Sequence, residues 1–333
     1  MLGSLLALAS AFTFGLNAAI IRRGVLTGTA LQGMAINVPL GVPIFIVAAA
    51  AAGSIGLLFE FSLQAYLFLA TSGVIHFAFG RYCNARALKA MGGNLVRPIH
   101  QLNVLLALVL ALWLLDEVLT PLRIFGIVLV MLGPLFVLQE RKAFSAKMEA
   151  LNATQEDKDL HFTPNYTEGM FFAIISILGY GFSPVLVRAA VGDMGISGGL
   201  AGGIVSYGAA TAVILIALLW PKNLTEVRAM SGRTAKLFTL SAFCIGSSQL
   251  LRFMALGIAP VVVVSTIQQT TSIFQVLFAW IMNRNHEPFG IWVMLGIASS
   301  LIGAVALTLT TEFVLEMIDL PVDVQNFIRW TWP

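Results

Sequence analysis

The sequence predicts an all-α polytopic membrane protein with ten transmembrane helices, arranged as two inverted five-helix repeats. Three observations predict it. Hydrophobic residues make up 58% of the 333 and charged residues 11%, where a soluble domain carries about 25% charged. A soluble fold of this size has too little interior for that much apolar surface, so lipid must cover it. Second, ten apolar runs approach the length of about 20 residues that crosses about 30 Å of hydrocarbon. Third, two stretches, Gly92–Glu117 and Ala259–Glu287, place polar residues at matching positions 168 residues apart.

The runs are 3–22, 30–52, 62–82, 95–115, 120–139, 168–190, 198–220, 236–256, 260–282 and 289–310. They are expected to be helices, because backbone polar groups in lipid must be satisfied within the segment and barrel strands are far shorter. The first 20 residues lack a basic start and lead into Arg22-Arg23, so they read as a span and not as a cleaved leader. Pro39, Pro43, Pro98, Pro134 and Pro184 lie in or at the start of spans, where each removes a helix hydrogen bond. Cys83 and Cys244 have no spacing that indicates a disulfide or metal site.

Most connections are short. The exception begins at Glu140 and is charged, which divides the chain into a first repeat at 1–139, a linker at 140–167 and a second repeat at 168–310. The tail, 311–333, mixes Glu312, Glu316, Asp319 and Asp323 with apolar residues and ends near Trp330 and Trp332, a composition suited to the membrane interface.

The halves echo one another. At a separation of 168, Arg97 falls on Ser265, His100 on Gln268, Gln101 on Gln269 and Asn103 on Thr271; Arg81 and Asn84 fall on Gln249 and Arg252. Gly15, Asn17 and Arg22 fall on Gly181, Ser183 and Arg188 at 166, and Gly126 and Gly133 on Gly296 and Gly303 at 170. Five spans per half force the halves into opposite orientations, the plan of many transporters with a site between repeats near the midplane.

The order of these features resembles the EamA-type drug/metabolite transporters. The third span ends in Ala87-Leu88 and the eighth in Ala255-Leu256; a polar-centred span, an acidic turn (Asp116-Glu117 in the first half) and a glycine-bearing span then follow in each half. The resemblance covers nearly the whole chain and implies a ten-span transporter, with both termini in the cytoplasm, in a bacterial inner membrane. Many members carry Glu-Pro in the fourth and ninth spans, where this chain has Asn103-Val104 and Thr271-Ser272. The first span also lacks the carboxylate that small multidrug antiporters use, which disfavours efflux of lipophilic cations by that route. Basic residues gather on the side opposite the termini, so the positive-inside rule places the termini outside, against the resemblance.

Ionisable residues inside a span cost about 2.5–3.5 kcal/mol each on insertion scales, so each needs a reason. Arg97, His100 and Gln101 share a face of the fourth span. Ser265, Gln268, Gln269, Ser272 and Gln275 share one on the ninth. The expected substrate-binding set is Arg97, His100, Gln101, Asn103, Gln268, Gln269, Thr271, His76, Asn17 and Tyr180. The plain alternative is that these groups only join helices. Arg81 and Arg252 read as anchors at span ends, and His161 and His286 as surface residues. No Asp or Glu lies well inside a span, so a cavity with this basic balance favours a carboxylate, a phosphate or a zwitterion such as an amino acid.

The expected function is secondary transport of a small polar metabolite by alternating access, in a monomer or homodimer, with the solute and the lipid bilayer as partners. No cofactor, metal or nucleic acid is expected. A phosphate-cradling loop of the G-x-x-x-x-G-K-[ST] type is absent. An integral membrane enzyme would need paired carboxylates, a nucleophile with its base, or a metal cluster; Asp116-Glu117 and His286-Glu287 come nearest, and their matching turns suggest topology and capping. A non-transporting scaffold or sensor would need a further domain that the short linker cannot supply.

Overall fold

The computed structural model describes residues 1–25, 28–91, 96, 99–100, 102–152, 165–192, 194–282, 290–309 and 321–332. Arg97, Pro98 and Gln101, the linker around His161, the turn with His286 and Glu287, and the tail residues Glu312, Glu316 and Asp319 lie outside the described residues.

The apolar runs are helical. Helix α1 is Leu2–Val25, α2 is Ala30–Ala51, α3 is Leu63–Met91, α4 is Leu102–Leu114 and α5 is Pro121–Asn152. In the second half α6 is Tyr166–Val191, α7 is Gly195–Leu218 and α8 is Gly232–Ile258. Helix α9 passes through Val261–Ile267, a 3-10 turn at Gln268–Thr270 and Thr271–Met282, and α10 is Ile291–Thr308. Among the described residues, six helices are long and apolar enough to cross a membrane, and shorter apolar stretches occupy Leu2–Asn17, Leu102–Leu114, Pro121–Phe136 and Ile291–Leu307.

Helix starts are set by side chains that accept the first free N–H groups. Ser62, Asn165 and Ser231 each accept from the backbone three residues on. Thr29 and Gln32 cap each other reciprocally at the start of α2. Two helices outrun the hydropathy. Helix α3 continues to Met91 and α5 to Asn152, because both extensions are rich in helix formers and contain neither glycine nor proline.

The packing has a reciprocal pattern. Gly41 and Phe45 of α2 recur 162 residues on as Gly203 and Tyr207 of α7. The Tyr207 ring covers Gly41 and the Phe45 ring covers Gly203, so closely that a Cβ on either glycine would overlap the ring. Helices α5 and α10 do the same. A Cβ on Gly126 would stand 2.9 Å from the Gly303 carbonyl and one on Gly133 2.9 Å from the Gly296 carbonyl. The register runs antiparallel, with each residue facing the repeat counterpart of its own neighbour, as at a two-fold contact.

Serines tie the remaining helices across the halves. Ser10 of α1 donates to the Ser248 carbonyl of α8 at 2.7 Å, and its counterpart Ser176 of α6 donates to the Gly80 carbonyl of α3 at 3.0 Å. The first helix of each half therefore packs on the third helix of the other. Large apolar side chains such as Val109, Trp113, Phe125, Leu215, Phe243 and Val305 face outward, a surface that only lipid can cover.

The turn after α4 joins the halves as well. Glu117 accepts the N–H groups of Val261 at 2.6 Å and Val262 at 2.9 Å, capping α9. Burial pushes its carboxyl up, partly offset by those two N–H groups and by Arg188 and Arg123. The neighbouring Asp116 takes the left-handed conformation, with φ +49°, which aspartate tolerates better than most residues. In the tail, Val322–Arg329 is a helix, and Trp332 pairs through both backbone groups with Leu119 of this turn, at 2.8 and 3.0 Å.

Candidate functional site

The site forms where two helices depart from α geometry. Helix α3 becomes a π-helix over Val74–Gly80, a wider turn that re-aims side chains and recurs at functional positions. It carries His76, 7% exposed. The wider turn pushes the Ile75 carbonyl against α6, where a Cβ on Gly179 would stand 2.5 Å from it. Across the bundle, the 3-10 turn at Gln268–Thr270 shifts the face of α9 at its own polar centre.

His76 Nε2 lies 3.3 Å from Nη1 of Arg252, which also donates to Gln249 Oε1 at 3.3 Å. Guanidinium has no lone pair to offer. His76 Nε2 must therefore be the acceptor, and the ring proton sits on Nδ1. That Nδ1 is buried and has no hydrogen-bond partner among the described residues. The Tyr180 ring stands 4.7 Å from His76 and 5.3 Å from His100, bridging them. His100 Nε2 lies 2.8 Å from Ser176 Oγ. Since Ser176 gives its proton to the Gly80 carbonyl, His100 donates through Nε2–H and its tautomer is fixed.

Arg81 completes the cluster as the first residue after the π-segment. Its guanidinium lies over the Phe77 ring, 5.0 Å from the centroid. Phe77 stacks on Tyr207 at 4.2 Å, so an aromatic stack floors the cluster. Arg81 Nη2 and the Tyr207 hydroxyl are buried and close to each other, without a well-formed hydrogen bond to any described residue. Neither Arg81 nor Arg252 has a carboxylate partner there; the ion pair found is Arg86 with Glu168. His76 Nδ1–H is thus a buried donor without an acceptor, and the Arg81 and Tyr207 donors beside it have at most each other, so the cluster holds more donors than acceptors.

The expected residues divide into groups. His76, His100 and Tyr180 come together. Asn103 and Gln269 meet each other, with Gln269 Nε2 donating to Asn103 Oδ1 at 3.4 Å across α4 and α9. Gln268 instead donates to the Ala7 carbonyl of α1 at 3.2 Å, and Thr271 begins the last segment of α9. Asn17 lies apart, accepting from Ser241 of α8 at 2.6 Å. Arg97 and Gln101 lie outside the described residues.

The reading of Arg252 as a span-end anchor is corrected. Helix α8 continues to Ile258, and Arg252 is 8% exposed inside the bundle. Arg81 likewise has ten residues of α3 beyond it. Arg252, Arg81, Gln249 and Tyr207 are absent from the expected site set. The signal for three of them is present in the chain, since Arg81 and Gln249 occupy corresponding positions in the repeat, three residues before Asn84 and Arg252. A separate cavity of about 200 Å³ opens between Met1, Ser4, Thr120, Arg123 and Pro260, and its lining includes none of the cluster.

An all-helical bundle with an apolar exterior and a polar, basic centre defines a multi-pass integral membrane protein. The chain belongs to the EamA-like transporter family, which matches it over residues 1–139 and 167–309. That family groups membrane transporters of the drug/metabolite type, and its two-repeat architecture is the one seen here. A solved crystal structure of another protein superposes with a TM-score of 0.68, at 14% identity, over 92% of this chain and 95% of that one; this likeness concerns the fold. No curated protein matches the chain.

Proposed function

We propose that the protein is a secondary transporter that moves a small anionic or zwitterionic metabolite, such as an amino acid, by alternating access. The observation that carries this reading is the surplus of buried donors over acceptors at His76, Arg81 and Tyr207, beside the buried guanidinium of Arg252. A buried donor left unpaired costs about 1–3 kcal/mol, more beside a charge. A carboxylate or phosphate oxygen would satisfy Arg81, Arg252, His76 and Tyr207 together. Gln269 and Asn103, which meet across α4 and α9, offer an amide pair for the rest of the solute.

Ten spans in two inverted repeats, 1–139 and 168–310 with the linker 140–167 between them, are part of the same reading. Six long and four shorter apolar helical stretches support the count, and the reciprocal contacts of α2 with α7 and of α5 with α10 support the inversion. The π-segment of α3 and the 3-10 turn of α9 supply places to bend. No observation favours an enzyme over this reading; Glu117, the nearest carboxylate candidate, is occupied in capping α9.

The test is a ligand-stabilisation screen on the purified chain across amino acids, organic acids and phosphorylated metabolites, followed by uptake into proteoliposomes. The expected result is stabilisation and uptake of an acid or zwitterion, both lost in Arg252→Gln. Stabilisation by lipophilic cations alone would overturn the reading.

A further inference from the structure

Asn17, Asn37 and Ser241 form a second polar cluster, built from α1, α2 and α8. It stands apart from the basic one: Ser241 precedes Gln249 by eight residues of α8, about 12 Å of helix. The three residues are 4%, 5% and 0% exposed. Ser241 Oγ donates to Asn17 Oδ1 at 2.6 Å, while Asn37 Nδ2 reaches Ser241 Oγ only at 3.5 Å, the limit of a hydrogen bond. Asn37 Oδ1 has no hydrogen-bond partner among the described residues. The cluster therefore holds one buried amide oxygen, Asn37 Oδ1, without a donor, beside two oxygens already joined by a hydrogen bond.

The backbone points the same way. Asn37 is the last residue of the first segment of α2, which is interrupted at Val38–Leu40 before resuming at Gly41. Pro39 has no N–H for the carbonyl one turn back. The Gly41 N–H goes to Val38 at 3.0 Å and not to Asn37. The helix continues through Val38–Leu40 in right-handed conformation as a tightened kink, and the Asn37 carbonyl is left there without the N–H that a regular turn would give it.

The cluster is not a scaffold requirement of the repeat. The counterparts of Asn17, Ser241 and Asn37 in the other half are Ser183, Gly73 and Gly199, and α7 runs unbroken through Gly199. Neutral oxygen donors without a carboxylate suit a hard monovalent ion better than a divalent one. We propose that Asn17, Asn37 and Ser241, with the Asn37 carbonyl at the kink in α2, bind a sodium ion. That the ion is carried with the solute rests on the transporter reading; that it binds does not.

Thermal unfolding of the purified full chain would be followed against NaCl, with choline chloride or KCl replacing it at constant ionic strength. The expected result is a saturable, sodium-specific rise in Tm. Asn37→Leu and the smaller Asn37→Ser should each weaken it at least about tenfold in concentration, the effect of about 1.4 kcal/mol. Ser183→Ala, at the counterpart position, should leave it unchanged. Arg252→Gln should retain the sodium effect while losing solute stabilisation, which separates failure of this site from failure of the transport reading. Equal stabilisation by choline or potassium, or a sodium effect that survives in Asn37→Ser, would overturn the proposal and leave the cluster as a helix contact.

Discussion

His76 Nε2 and Arg252 Nη1 stand 3.3 Å apart inside the bundle, joined across the two halves of the chain with no described carboxylate beside them. Because the guanidinium can only donate, this one contact sets the tautomer of the histidine and leaves its Nδ1–H without a hydrogen-bond partner among the described residues. A positive centre without a counter-ion is costly to retain unless something negative visits it.

This contact makes Arg252→Gln informative. Removing a buried cation that has no ion-pair partner relieves desolvation, so Tm should stay level or rise. Solute affinity and uptake should nevertheless fall by at least roughly tenfold, about 1.4 kcal/mol. Arg252→Lys keeps the charge but loses the planar fork that reaches His76 and Gln249 together, and should recover only part of the affinity. A large loss of Tm in Arg252→Gln would mean that the arginine holds the fold.

The reciprocal glycines give a test of packing. Gly203→Ala places a methyl group in the Phe45 ring and Gly41→Ala places one in the Tyr207 ring. Each should cost about 1–3 kcal/mol, the usual penalty of overpacking. Phe45→Leu should rescue the first and leave the second unrelieved. Gly208 of the same α7 faces open space, with nothing within 4 Å of where a methyl group would stand, so Gly208→Ala should be neutral or stabilise by about 0.5–1 kcal/mol. Thermal unfolding in one detergent checks all four variants.

Glu117 predicts a pH dependence. Its folded carboxyl is raised above the ordinary value of 4.5, with burial the largest cause. The folded chain therefore holds the proton more tightly than the unfolded chain. This contribution to stability is full below about pH 4.5 and is lost as pH rises through the raised folded value. Glu117→Gln cannot ionise, so its Tm should be flatter than that of the parent over this window. Equal slopes would show that the carboxyl titrates normally. The capping itself should show as a loss of about 0.5–2 kcal/mol in Glu117→Ala.

Much of this architecture is legible in the residues, and the reason is lipid. Membrane burial writes itself into composition and run length, and duplication writes the pairs Gly126/Gly133 and Gly296/Gly303 into the chain at a fixed separation. Contact between halves is another matter. That Gly41 lies beneath Tyr207, or that Ser10 meets Ser248, depends on how the repeats interleave, and no local pattern encodes it. The site shows the same division. His76, His100 and Tyr180 stand out as polar groups in apolar surroundings, but Arg252 reads as an anchor because it lies near the end of its span. The way the other helices close around the last turns of α8 puts the guanidinium inside, and hydropathy does not record that. The kink in α2 after Asn37 is foreshadowed only by Pro39 and Pro43, and Asn17 meets Ser241 of α8 and not the basic cluster.

The two serine contacts allow structure and function to be separated within one fold. Ser10 and Ser176 occupy corresponding positions in α1 and α6, and each donates to a carbonyl of the third helix of the opposite half. Ser176 alone also receives a hydrogen bond from His100, at 2.8 Å. Ser10→Ala and Ser176→Ala should therefore destabilise by similar amounts, about 1 kcal/mol, the net worth of a buried hydrogen bond. Only Ser176→Ala frees the His100 ring to turn and to change tautomer beside Tyr180. Its solute affinity should fall while that of Ser10→Ala stays near the parent value. Tm and solute titration on the same preparations decide it: equal affinities in the two variants would remove His100 from the site and leave both serines as helix contacts.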